Sequence, residues 1–260
     1  MEGEPARSRG GVWFRAWLAV ELVGLYWVVP GFLDLSDRVV GRSLIPGLGV
    51  VGLVLFVWLL RDRSFSNRSL WNWGAFRREL PRILLTAAIS FAVMLGLAWW
   101  FTTRAWAPEQ VGPFALLERN WVLLVVICLL YPLFSVYPQE IVLRTWFFHR
   151  YKRLMPDWRV LLTVNALTFA WVHVIFQNWV AVLLCVPAGF LFGWTYLKTK
   201  STLASGFEHA LVGNLMWTAG IGWFFFAGAV ALENGEGGAR EGGRPAAVSV
   251  EGGSGEHGEE

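Results

Sequence analysis

The sequence predicts an all-α fold, a polytopic transmembrane helical bundle of about seven spans (seven or eight) followed by a disordered C-terminal tail. Three observations predict it. Hydrophobic residues make up 55% of the 260, and the mean hydropathy is +0.48. Charged residues make up only 16%, against about a quarter in soluble domains. The apolar residues also fall in long runs separated by short basic segments, and about 17–25 of them suffice to cross a hydrocarbon core. No single globular core of this length hides so much apolar surface. The composition equally excludes a disordered chain, a collagen-like repeat and a small disulfide scaffold.

The first span, 13–32, follows Arg7, Arg9 and Arg15. Glu21 interrupts it and no small-x-small site follows, so it reads as an anchor and not as a removed signal peptide. The second span covers 44–60. Segment 64–82 mixes arginines with Trp71, Trp73 and Phe76, the pattern of a short amphipathic helix lying along the membrane surface. Further spans are expected at 83–101, 121–139, 160–176, 179–197 and 203–231. Trp13, Trp58, Trp99, Trp100, Trp121, Trp158 and Trp179 stand near span ends, where an amphipathic indole suits the headgroup layer. Cys128 and Cys185 both lie in apolar stretches and suggest neither a disulfide framework nor a metal motif.

Charge sets the orientation. Arg61, Arg63, Arg68, Arg77, Arg78 and Arg82 crowd one loop; Arg150, Lys152, Arg153 and Arg159 a second; Lys198 and Lys200 a turn. The loop 102–120 has Arg104 and Arg119 offset by Glu109 and Glu118. Alternating spans then place the basic loops and the N-terminus on the cytoplasmic side. Seven crossings leave the C-terminus outside, and a hidden eighth element would reverse that. The tail 233–260 holds seven Glu and nine Gly but only two Arg, so the remainder carries 20 basic against 12 acidic residues, a balance of +8. In a membrane protein this excess answers anionic lipid headgroups and not nucleic acid. Three regions follow: N-terminal helices with the Arg-rich loop over 1–119, a polar-studded helical core over 120–232, and the tail, too polar and Gly-rich to bury surface.

Ionisable residues inside spans are costly and mark functional sites by default. Here they are Glu21, Glu140, Arg144, His173, Glu208 and His209, accompanied by the amides Gln139, Asn165, Asn178 and Asn214. Pro132 and Pro138 weaken the end of the fourth helix, so a new or kinked helix is expected from Gln139. Glu140 then lies near its N-terminus with Arg144 one turn on, an arrangement that also suits a plain ion pair at the membrane boundary. His173 shares a face with Phe169, and a lone histidine there equally suits interhelical hydrogen bonding. Glu208 and His209 point about 100° apart, so both cannot face lipid unless one is near the surface. Together a Glu, two His and an Asn on three helices form a set that can activate water and hold an oxyanion. Glu140, His173 and His209 could instead supply a two-His, one-carboxylate zinc site; otherwise no cofactor is expected. HExxH, Walker, Rossmann and EF-hand patterns are absent.

The order of these motifs resembles the CPBP family, the CAAX-protease and bacteriocin-processing intramembrane proteases that include type II CAAX prenyl endopeptidases. That family's pattern is a di-glutamate, three residues and Arg, then Phe-x-x-x-His, then His-x-x-x-Asn. Its counterparts here are Gln139-Glu140-x-x-x-Arg144, Phe169-x-x-x-His173 and His209-x-x-x-Gly213-Asn214, within about residues 120–225. The resemblance implies an endopeptidase acting on a membrane-associated peptide or protein substrate, in a bacterial plasma membrane. It implies that a Glu and His173 activate water, that His209 and an Asn hold the oxyanion, and that Arg144 orients the carboxylate.

Two departures stand out. The first glutamate of the pattern is Gln139, whose amide cannot accept a proton, so Glu140 takes the role of base or the site is inactive. Gly213 stands where Asn is expected. Asn214, one residue late, lies about 140° around from His209; either a π-bulge near Gly213 restores it, or Asn214 supports a neighbouring helix. The alternatives to an active protease are a catalytically impaired scaffold or bacteriocin-immunity protein, and a transporter using Glu21, Glu140 and Glu208 as proton sites. The absence of an internal repeat weighs against transport.

Overall fold

The computed structural model of the protein describes residues 7–33 and 38–226 of the chain. Among the described residues every regular element is helical. The first crossing is α1 (Arg7–Val23), a π-turn at Gly24–Val28 and α2 (Val29–Phe32). α3 (Arg38–Arg61) returns, a 3₁₀ turn at Asn67–Leu70 follows, and α4 (Trp73–Thr102) crosses again. The fourth crossing runs from Ala115 to Tyr151, with a kink at Asn120, whose backbone angles (φ −158, ψ 77) are not helical. It comprises α5 (Ala115–Tyr131), α6 (Tyr137–Glu140) and α7 (Phe147–Tyr151), joined by π-turns at Pro132–Val136 and Ile141–Trp146. α8 (Trp158–Trp171) ends in a 3₁₀ turn at Val172–Phe176. α9 (Trp179–Thr199) and α10 (Thr202–Ala219) form the last hairpin, followed by a 3₁₀ turn at Gly222–Phe225.

Six of these helical stretches are long and apolar enough to cross a membrane. α10 is not among them: it is 18 residues long, carries Glu208 and His209, and is enclosed by α4, α5 and α9. Outward-facing Leu53, Leu85, Leu129 and Leu133 are more than half exposed, which is the surface a bilayer covers. Inside, Tyr26, Phe147, Tyr151, Phe169, Phe192 and Tyr196 interlock in one aromatic core, and Met94, Phe101, Met216 and Phe224 form a second. α8 and α9 pack closely because Gly189 presents no side chain: a Cβ there would lie 2.7 Å from the Ala166 carbonyl oxygen.

The structure corrects three expectations. The span expected at 203–231 stops at Ala219, where Gly220 adopts φ +92 and its carbonyl accepts the Gly112 N–H at 3.3 Å. Residues 227–231 and the tail 233–260 lie outside the described residues. Segment 64–82 is not a separate surface helix. Its second half is the start of α4, capped by Asn72, whose side chain accepts from the Ala75 N–H and donates to the Thr199 carbonyl. The prolines at 132 and 138 do not begin a new helix. Each removes an N–H, and the chain continues through π-turns that retain helical backbone angles.

Candidate active site

The fourth crossing brings Glu140 to the centre of the bundle, facing α10. Glu140 and Arg144 are fully buried and His209 is 4% exposed. His209 Nδ1 lies 3.0 Å from Glu140 Oε1. Because an ionised carboxylate only accepts, the Nδ1–H donates and Nε2 becomes the acceptor nitrogen. Nε2 lies 3.3 Å from the Tyr131 hydroxyl. Phe192 stacks on the imidazole with centroids 4.5 Å apart, and the edge of Phe169 meets it at 5.4 Å. These contacts fix the ring in one orientation.

Arg144 lies over Phe169, its guanidinium carbon 4.5 Å from the ring centroid. Its Nη1 donates to the Leu143 carbonyl at 3.1 Å, while Nε stands 4.0 Å from Glu140 Oε1. Arg144 Nε and Nη2 and Glu140 Oε2 are buried without a protein hydrogen-bond partner. Buried polar atoms of this kind are usually satisfied by ordered water.

His173 lies one aromatic ring away. Its Nδ1 is 2.7 Å from the Phe169 carbonyl, which can only accept, so Nδ1 carries the hydrogen and Nε2 is again the acceptor. Phe169 touches both histidines, with centroids 4.8 Å from His173 and 5.4 Å from His209. Glu140 therefore pairs directly with His209 and not with His173.

The remaining motif residues point elsewhere. Gln139 is half-buried and donates to Ser135 Oγ at 2.9 Å. Asn214 donates to the Cys128 carbonyl at 3.1 Å and so ties α10 to α5; α10 shows no π-bulge at Gly213. Two other membrane glutamates have their own partners. Glu21 takes a two-pronged contact from Arg150 at 3.0 and 2.7 Å. Glu208 is held by Arg82, Thr86 and Thr195. Glu21, Glu140 and Glu208 thus occupy three separate settings with different partners.

Zinc does not suit the residues present. Among the described residues no group of three or more His, Cys, Asp or Glu is placed to hold a metal ion. Both His209 nitrogens are engaged by Glu140 and Tyr131, and His173 lies across Phe169.

Residues 119–216 match a family model described as type II CAAX prenyl endopeptidase Rce1-like. This stretch is therefore similar to the type II CAAX prenyl endopeptidases. No curated protein and no solved structure matches the chain. The match runs from within α5 through most of α10 and so takes in Glu140, Arg144, His173 and His209. The six long apolar helices are those of an integral membrane protein.

Some members of the site were not singled out in the sequence. Tyr131 is one of only five tyrosines in a chain with 17 Trp and 19 Phe, and a hydroxyl inside an apolar span was a usable signal. Phe192 carried none, since an aromatic in an apolar helix is ordinary core.

Proposed function

We propose that the protein is an intramembrane endopeptidase in which Glu140 and His209 together activate water to hydrolyse a peptide bond of a membrane-associated peptide or protein. The observation that carries this is the 3.0 Å contact between a fully buried carboxylate and a buried imidazole. A fixed donor on Oε1 leaves Oε2 as the lone-pair site for a proton.

Water held at Glu140 Oε2 loses a proton to that carboxylate as its oxygen attacks the peptide carbonyl carbon. The carbon–nitrogen bond then breaks, and the same proton passes to the departing amine. The His173 acceptor nitrogen suits a second hydrogen bond to the water. Arg144, with two nitrogens free of protein hydrogen-bond partners, counters the charge on Glu140 and orients it. Gln139 has no part in this chemistry, because Glu140 occupies the place beside the imidazole.

Depth within the bilayer suits a substrate that ends near the membrane surface. His209 is seven residues into α10 from the basic end, roughly 10 Å along the helix. We assign the basic end to the cytoplasm of a bacterial plasma membrane, against anionic headgroups.

The test uses purified full-length protein in liposomes and two quenched fluorogenic peptides, one farnesylated at a C-terminal CAAX cysteine and one an unmodified transmembrane peptide. Cleavage of either by the wild type, with Glu140→Gln lowering it about 100-fold or more, is the expected result. Equal rates in wild type and Glu140→Gln would remove Glu140 as base. A protein that cleaves neither peptide, yet keeps its cellular effect as a Glu140→Gln, His173→Ala, His209→Ala variant, is a scaffold.

A further inference from the structure

Gly213 lies one helical turn beyond His209 on the same face of α10. A Cβ built at this glycine would stand 2.5 Å from Tyr131 Cε1, 2.7 Å from its hydroxyl and 2.9 Å from Cζ. No other residue type leaves room for the phenol in this position. The ring reaches across from the last residue of α5, next to the Pro132–Val136 π-turn, and meets the imidazole edge-on with centroids 6.3 Å apart. Its hydroxyl is 3.3 Å from His209 Nε2, while His209 Nδ1 is 3.0 Å from Glu140 Oε1. Carboxylate, imidazole and phenol therefore form one hydrogen-bonded line across three elements.

We propose that Tyr131 is the positioning residue of this site: seated in the space that Gly213 leaves, it donates its O–H to His209 Nε2 and so holds the imidazole in the form that donates Nδ1–H to Glu140. This rests on the reading of Glu140 as base and adds what fixes its partner. A neutral imidazole carries one hydrogen, and a donor on Nε2 commits that hydrogen to Nδ1. The Nδ1–H then occupies Oε1 and directs the base to Oε2. The same bond denies Nε2 to the water, so the phenol decides which group takes the proton. The other titratable or charged groups about the ring are Glu140, Arg144 and His173, and none of them donates to Nε2.

Two variants separate a positioning role from a merely structural one. Tyr131→Phe keeps the ring and removes only the hydroxyl; Gly213→Ala expels the ring and leaves the hydroxyl on the chain. Both are expected to lower kcat about 100-fold with KM nearly unchanged, the scale for a reacting group misplaced by about an ångström. In full-length ¹⁵N-histidine-labelled protein in nanodiscs, the His209 signal, identified by its loss in His209→Gln, should show hydrogen on Nδ1. Its Nε2 resonance should move in both variants. An unmoved Nε2 resonance in Tyr131→Phe would overturn the proposal, as would wild-type kcat in that variant. The spectroscopic arm reads the Tyr131 contact even if no peptide is cleaved, so failure of the protease reading and failure of this inference are distinguishable.

Discussion

At the scale of single residues, the site is decided by where two opposite charges are buried. Glu140 and Arg144 are both fully enclosed, with Arg144 Nε 4.0 Å from the carboxylate. Removing one member of such a pair leaves the other uncompensated, at a cost of about 3–5 kcal/mol. Arg144→Met should therefore lower the thermal unfolding midpoint in detergent sharply. Adding Glu140→Gln to it should restore much of the loss, because the charge left behind is then gone. A double variant as unstable as the sum of the singles would show that the two side chains do not interact. Outside the spans, Asp62 shows a simpler case. The His149 ring at 2.8 Å and the Ser64 N–H at 2.8 Å hold its carboxyl down to about 2. A depressed carboxyl stabilises the fold above its unfolded value and loses that contribution as pH falls through its folded one. Hydrogen exchange of the Ser64 amide should thus stay protected at pH 4 and lose protection approaching pH 2, and Asp62→Asn should remove that acid dependence.

At the scale of elements, close approach and backbone register do what single charges cannot. The α8–α9 contact depends on Gly189, where a Cβ would sit 2.7 Å from backbone oxygen and 2.9 Å from the Ala166 Cα. Backbone cannot rotate out of the way, so Gly189→Ala should cost about 1–3 kcal/mol as overpacking. Circular dichroism melts against a Gly96→Ala control, where nothing lies within 4 Å, would measure it. The elements also show what was legible in advance. The six long apolar crossings were readable because hydropathy and length suffice to identify them. The motif residues Glu140, Arg144, His173 and His209 were readable because charge in an apolar run stands out. Which of the two histidines pairs directly with Glu140 was not. Two π-turns bracket α6 and change which side chains face α10, and no composition or spacing rule sets that register. Nor was the end of α10 legible: the apolar run continues past Gly220, and only the backbone turn at φ +92 stops the helix.

At the scale of the whole molecule, charge asymmetry and site depth belong together. The Asp62–Asn72 segment, the turn after α7 and the α9–α10 turn meet at one end. Asp62 contacts His149 there, Asn72 contacts the Thr199 carbonyl, and Thr202 contacts the Ser69 carbonyl. Arg63, Arg68, Lys152, Arg153 and Lys200 cluster at that end, while the opposite end carries Arg104 and Arg119 with Glu109 and Glu118. The proposed orientation, with the basic end facing the cytoplasm, follows from this polarity by the positive-inside rule. In that orientation His209, seven residues into α10 from the basic end, lies roughly 10 Å from the cytoplasmic side. The orientation is checked in a Cys128→Ser, Cys185→Ser background carrying a single cysteine. Cysteine at Arg63 should resist a membrane-impermeant maleimide in intact cells and react once the membrane is opened, whereas cysteine at Arg104 should react in intact cells. The reverse pattern would place the basic end outside and overturn the proposed orientation.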